Sequence, residues 1–290
     1  MKNFKITAFA DEIDLRMDFQ LKVLQKNKIS HIEVRGLDGK NISEISLSEA
    51  KAYQQKFEAH QIKVSSLGSP IGKIDIEAPF EAHLELFKHV LKLAKIFKSP
   101  YIRMFSFYIS EGKNPDDFRD VVIKRWQAFL EAAKDYPEIT LLHENEKDIF
   151  GDTPERCLDL CQALKNPQLK LAFDPANFVQ CDVEVFPKAF EMLKNEIAYV
   201  HIKDALFSNH EVMPAGYGDG QVKKVLEALV ARDYHGFLSL EPHLANFTGF
   251  QELENGEESD KPEASEGEKL FNVASSALRK ILDEMNQEWI

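Results

Sequence analysis

The chain has 290 residues, 44 % of them hydrophobic, enough to bury a substantial core, and this composition argues against wholesale disorder. With 48 acidic against 36 basic residues its formal net charge is −12, which speaks against a nucleic-acid or anionic-membrane surface but leaves room for a small anionic ligand. No apolar run approaches the roughly 18 to 20 residues that span a bilayer, the start "MKNFKITAFADE" lacks a secretory pattern, and three cysteines make no disulfide framework, so a reduced, soluble, cytoplasmic protein is expected.

Short β-like runs alternate with helix-length amphipathic segments from one end to the other. The first run is "FKITAFA" (4–10), followed by "DLRMDFQLKVLQKN", which places Leu15, Phe19, Val23 and Leu24 along one helical stripe. "HIEVRG" (31–36) and "KVSSLGS" (63–69) come next, and "PFEAHLELFKHVLKLAKIF" repeats the stripe with Phe80, Leu84, Phe87, Leu91 and Ala94. After "YIRMFSFY" (101–108) and "ITLLHENE" (139–146), "TPERCLDLCQAL" opens with Thr153 as N-cap and Pro154 at the first helical position. Cys157 and Cys161 sit four apart in that helix and read as packing residues. "LKLAFDP" (169–175), "AYVHIKDA" (198–205) and "GFLSLEPH" (236–243) complete the strands, and a helix from Lys269 to Met285 closes the series.

Eight strands with a helical pattern in each interval predict an α/β fold, a (β/α)8 TIM barrel, which takes ~250 residues before insertions. A doubly wound sheet would place a glycine-rich turn after its first strand. Here that turn reads "AFADEID", without glycine. The whole of 1–290 is expected to form one barrel domain. Its irregularity is an acidic insertion at about 244–269, read as a solvated loop or as a flap or subunit contact over the barrel mouth.

Chemistry in such a barrel gathers where strands end and the following loops begin. Strand five ends in Glu144 and Glu146, strand six in Asp174, strand seven in His201 and strand eight in Glu241. Any one of these alone reads as a helix cap, a salt-bridge partner or a satisfied interior histidine. Together on four neighbouring strands they would repel one another unless a cation sat among them. Three carboxylates and an imidazole suit one divalent metal ion: Mn2+, Mg2+, Co2+, Fe2+ or Zn2+.

The stretches "FADEI", "IEVRGLDGKN", "SSLGSPIGKI", "IRMFSFY", "HENEKDIFGDTPE", "AFDPANF", "VHIKDA", "PAGYGDG" and "LSLEPH" follow one another along most of the chain. In these the chain resembles the sugar phosphate isomerase/epimerase family, the xylose isomerase-like TIM barrels. The resemblance implies that Glu144, Asp174, His201 and Glu241 hold the metal. It also implies that Glu144 and Glu241 act as acid and base, moving a proton next to a carbonyl through an enediolate.

Around these the expected substrate shell is Lys203, Glu146, Arg35, Arg103, His143 and Asn177. Lys203 follows His201 by two residues, on the same strand face, and Glu146 stands likewise to Glu144. Arg35 and Arg103 read either as binders of a substrate anion or as structural charges within the barrel. His143 reads as orienting a ligand from behind the contacting residues.

Two departures bear on the reaction. Asn177 stands where ketose 3-epimerases of the superfamily carry a histidine, and "HIKDALF" lacks their downstream arginine. "HIKD" is also similar to inosose dehydratases. The expected function is therefore a metal-dependent sugar isomerase or epimerase acting on a small sugar or polyol. The alternatives are an inosose-type dehydratase and a non-catalytic sugar-binding barrel.

A DNA-repair endonuclease on this scaffold would need histidines that "SSLGSP" and "MFSFY" do not offer. A Schiff-base aldolase using Lys203 is a further class, testable by borohydride trapping. "GSPIGKI" resembles a phosphate loop only superficially, since its glycine spacing is short and Ile74 replaces the Ser or Thr that binds magnesium. No nucleic-acid or membrane partner is expected, and a homo-oligomer is plausible for barrels of this kind.

Overall fold

A computed structural model describes residues 4–244 and 265–290. The apolar runs form eight parallel strands: β1 (Lys5–Ala8), β2 (His31–Val34), β3 (Lys63–Gly68), β4 (Tyr101–Met104), β5 (Thr140–Glu144), β6 (Leu169–Phe173), β7 (Ile197–Ile202) and β8 (Phe237–Leu240). Hydrogen bonds run in the order β1-β8-β7-β6-β5-β4-β3-β2. The seam between β1 and β2 is closed by a single bridge from Phe9 to Glu33, so the sheet is a nearly closed barrel.

Alternation along each strand sorts side chains between two cores. On β5, Leu142 and Glu144 face the barrel interior, while Leu141 and His143 face the helices. The lower interior is an apolar plug of Leu142, Ala172, Tyr199 and Phe237, with Tyr101 packed against it. Its rings meet at centroid distances of 5.7 Å (Tyr101–Tyr199) and 5.6 Å (Tyr199–Phe237). Because the plug fills the end where the strands begin, the polar residues at their other end form the open mouth.

The outer layer holds α1 (Met17–Lys26), α2 (Leu47–Ala59), α3 (Glu81–Phe97), α4 (Arg119–Ala133) and α5 (Pro154–Leu164). After β7 comes α6 (Val222–Ala231), and α7 (Glu266–Glu284) closes the chain. α3 shows why these stretches are helical: Phe87, Val90, Leu91, Ala94 and Phe97 recur every three or four residues and are all buried. The larger of these, Phe87, Val90, Leu91 and Phe97, each contribute about 1.5–3 kcal/mol on leaving water. Caps set the starts: Ser46 and Glu49 form a capping box on α2, and Thr153 accepts from the Arg156 N–H on α5.

The structure departs from the sequence expectation at several ends. β4 stops at Met104, because Phe105, Phe107 and Tyr108 donate their N–H groups to Ile71, Gly72 and Ile74 and leave the barrel sheet. Gly72 has φ +89°, and a Cβ there would lie 2.1 Å from the Phe105 carbonyl oxygen, so only glycine lets the two segments meet. β7 stops at Ile202, and Asp204–Ala205 pairs instead with Val212–Met213 in an antiparallel ribbon.

The β6–β7 interval is not one helix. It holds short helical segments at Pro175–Val179, Val185–Ala189 and Phe190–Leu193, with Pro187 unable to donate to a continuous ladder. α7 starts three residues earlier than expected, at Glu266, because Ser265 caps it by accepting from the Glu268 N–H. The acidic insertion at about 244–269 lies, apart from its ends, outside the described residues. Among the described residues, no helix is long and apolar enough to cross a membrane.

Candidate metal centre

Glu144 ends β5, Asp174 follows β6 directly, His201 lies near the end of β7, and Glu241 follows β8 directly. Strand register brings them together: Glu144 pairs with Ala172, two residues before Asp174, and His201 pairs with Ser239, two before Glu241. Each offers one ligand atom, and the four atoms lie within 4.8 Å of one another. His201 Nδ1 is 2.7 Å from Glu144 Oε1, 3.4 Å from Glu241 Oε2 and 3.9 Å from Asp174 Oδ2. All four side chains are buried.

Electrostatics in this closed space are strong. Burial works to raise the Glu144 carboxyl, but His201 and Arg103 overcome it and hold it at about 2. The same contest, won by Lys203, His243, His201 and Arg35, keeps Glu241 well below the usual carboxylate range. Burial prevails at Asp174, where neighbouring Glu241 and Glu144 add to it against Lys203, and the carboxyl rises to about 6. His201 is shifted the other way: Glu144 and Glu33 overcome burial and hold its proton.

The ring fits a divalent cation. Asp174 divides its two oxygens: Oδ1 caps the following turn by accepting from the Asn177 N–H at 2.9 Å, while Oδ2 lies 3.9 Å from His201 Nδ1 and is paired with the Lys203 ammonium at 3.0 Å, a charge that a bound cation would have to share. The cap and the cluster thus use different atoms of one residue. Oxygen-rich ligation with one imidazole is the donor set of a hard-to-borderline ion.

The residues expected around this ring are not all where they were placed. Lys203 lies inside it, its Nζ 3.0 Å from Asp174 Oδ2 and 3.3 Å from Glu241 Oε2. Arg103 is buried, with Nε 3.2 Å from Glu144 Oε2 and its guanidinium between Phe105 and Phe9, at 4.5 and 5.4 Å. Asn177 Nδ2 donates to Glu144 Oε1 at 3.3 Å and to the Asn145 carbonyl at 2.9 Å, which makes it a support of Glu144.

Glu146 is farther out, 3.2 Å from Lys73 of the loop after β3. Arg35 is engaged by Asp11 at 2.8 Å, Glu12 at 3.1 Å and Glu241 at 3.6 Å, so its charge is matched within the protein. It also lies beside Glu12, Glu241 and His243, a group whose atoms are close enough for a cation, and the guanidinium already supplies that charge.

His143 is a correction. It adjoins Glu144 and therefore faces the opposite side of the strand, where Nε2 meets Ser106 Oγ at 2.9 Å and the ring packs edge-on against Trp126 of α4. It does not reach the mouth.

Three residues escaped the sequence reading. Asp11 and Glu12 of "FADEI" are two of them, and their signal in the sequence is an acidic pair directly after the first strand. Glu33 is the third, only 1 % exposed inside β2, with Oε2 3.3 Å from His201 Nε2. Its signal was a lone carboxylate in the otherwise apolar core of "HIEV".

The "PAGYGDG" stretch has a structural use: the Asp204 carboxylate accepts from the N–H groups of Ala205, Gly216, Gly218 and Gly220 at 2.8–3.1 Å, pinning that loop to the rim.

Residues 21–266 match the model of the xylose isomerase-like TIM barrel family. The chain belongs to that family. Among solved structures it is similar to a D-tagatose 3-epimerase-like protein, with 17 % identity and a TM-score of 0.75 over 99 % of this chain and 98 % of the other. A probable 3-DHS dehydratase from Bacillus anthracis, AsbF, described as involved in petrobactin synthesis, aligns with 16 % identity and a TM-score of 0.73 over 96 % and 99 %. The IOLI protein with a binding zinc atom aligns with 16 % identity and a TM-score of 0.72 over 97 % and 99 %. At such identities the likeness is one of fold. No curated protein matches the sequence significantly.

Proposed function

We propose that this xylose isomerase-like barrel is a metal-dependent enzyme that moves a proton on a carbon beside the carbonyl of a small sugar or sugar-like polyol. The observation that carries the reading is the buried ring of Glu144, Asp174, His201 and Glu241, whose ligand atoms lie within 4.8 Å of one another. These four residues would hold the ion. When bound, a divalent cation supplies Lewis-acid stabilisation to the oxygens that gain charge as the carbon loses its proton.

The chain's own groups do the rest. Glu144 and Glu241 act as the acid and base pair, each carboxylate oxygen able to take or return a proton at the reacting carbon. Asn177 and Arg103 hold Glu144 in its orientation through contacts at 3.3 and 3.2 Å. Lys203 is placed to donate to a substrate oxygen from between Asp174 and Glu241. The fold similarity to an epimerase-like protein and to a protein with bound zinc supports this assignment.

A second reading is β-elimination of water. Lys203 favours it, since an ammonium 3.3 Å from the Glu241 carboxylate pairs a base with an acid for a leaving hydroxyl. One of the similar folds is a probable dehydratase. Incubation with manganese and a panel of ketoses and inososes in D2O separates the cases. Isomerisation or epimerisation washes deuterium into the carbon beside the carbonyl, and dehydration yields an unsaturated product. Tight sugar binding with neither change would leave a non-catalytic barrel and overturn the proposal.

A further inference from the structure

The inside of the barrel carries a second polar layer directly beneath the candidate metal ring. Thr7 Oγ1 meets Ser65 Oγ at 2.7 Å, Ser65 meets the Tyr199 hydroxyl at 3.0 Å, and Ser239 Oγ donates to Glu33 Oε2 at 2.6 Å. The Tyr199 hydroxyl faces Glu33 as well. Burying a carboxylate at the centre of a barrel is costly unless its oxygens are matched, and Glu33 Oε1 has no hydrogen bond. The residue needs a reason to be there.

His201 supplies it. The imidazole is flanked edge-on by Phe9 at 5.3 Å and Tyr199 at 5.8 Å, which confine the ring. Confinement alone does not decide which nitrogen carries the proton, since the neutral imidazole has two tautomers and the hydrogen bond made by one nitrogen selects between them. Nδ1 points into the ring of ligands. Nε2 points down, has no well-formed hydrogen bond, and meets Glu33 Oε2 at 3.3 Å as its one carboxylate neighbour among the described residues. Glu33 is itself held by Ser239 on β8 and by the seam bridge to Phe9, so its place is set by barrel closure.

We propose that Glu33 is a positioning residue of the metal centre: by accepting from Nε2–H of His201 it fixes the imidazole tautomer and leaves Nδ1 as the ligand atom. This rests on the reading of the four-residue ring as a metal site. A carboxylate on the far nitrogen of a metal-binding histidine also raises the basicity of the near one, and losing such a partner typically weakens metal binding 10–100-fold.

The test is calorimetric titration of manganese into the metal-free wild type, E33A and E33Q, with thermal unfolding of each metal-free protein alongside. E33A is expected to bind at least about tenfold more weakly. E33Q, whose amide oxygen still accepts from Nε2–H, recovers most of that loss. In the zinc-loaded wild type, the His201 Nε2–H resonance is expected to be hydrogen-bonded and slow to exchange in proton NMR, and in E33A it is lost. A purely structural Glu33 would lower the unfolding temperature of E33A while leaving affinity and resonance intact, and that result overturns the proposal. Should E33A not fold, E33D keeps the carboxylate but draws it away from His201 Nε2 by one methylene, and a wild-type affinity there overturns the proposal. A wild type that binds no manganese overturns the metal-site reading itself, an outcome distinct from variants that bind as well as the wild type.

Discussion

Lys203 and Asp174 form a buried ion pair, Nζ to Oδ2 at 3.0 Å, at the centre of the candidate site. The lysine is surrounded by carboxylates that hold its proton against burial, so it stays an ammonium through the ordinary pH range. Removing it leaves enclosed negative charge without a partner. K203M is expected to destabilise the metal-free protein by about 3 kcal/mol. Manganese should restore part of that loss, since the cation takes over the same carboxylates. Urea denaturation with and without the metal measures both.

Glu144 and Glu241 are expected to be indispensable to turnover. E144Q and E241Q keep the volume of the side chain but remove its capacity to take a proton, and each should lower deuterium exchange into substrate by about 10²- to 10⁴-fold. Circular dichroism of the variants confirms that the barrel is retained. Near-wild-type exchange in either variant removes that residue from the acid and base roles.

Metal affinity is expected to depend on pH through Asp174. Its carboxyl is raised from the ordinary 3.8 to about 6, chiefly by burial, so in the folded protein it holds its proton more tightly than a free aspartate. Proton and cation compete for the same oxygen. Affinity should therefore fall further as the pH drops through about 6, and binding should release protons from Asp174 and from His201. Titration in buffers of different ionisation enthalpy counts those protons, and a pH-independent affinity between 5 and 7 would contradict the assignment.

Acid stability is expected to depend on His143. Burial lowers it from 6.5 to about 3, so the fold favours the neutral ring. A base with a depressed folded-state value contributes stability that is complete above the unfolded value and lost as the pH falls below it. The loss should run from about pH 6.5 toward 3, at up to about 1.4 kcal/mol per pH unit for the one proton. H143Q, which keeps a polar group near Ser106, should show an acid slope shallower by about one proton when unfolding is followed across that range.

Much of the barrel could be read from the chain because its determinants are local. Alternation in "ITLLHENE" and the helical stripe of 79–97 depend on near neighbours, and so does the appearance of a polar residue where an apolar strand runs out. That is why the strand ends at Glu144, Asp174, His201 and Glu241 are legible in the sequence itself. The side of the strand on which His143 falls also follows from the period of two, since it adjoins Glu144 and must face the opposite way.

What only the tertiary structure decided are pairings across the closed sheet. Ser239 donates to Glu33 from 206 residues away, and Arg35 meets Asp11 from the neighbouring strand's loop. Whether Arg35 is free for an anion, whether Asn177 supports Glu144, and whether a carboxylate stands beneath His201 all depend on how eight strands share one register around a ring. By itself the sequence determined which residues reach the mouth, because strand periodicity is a property of consecutive residues. Which of them touch was settled by closure of the barrel, because hydrogen bonds and ion pairs act over about 3 Å and depend on where distant strands come to lie.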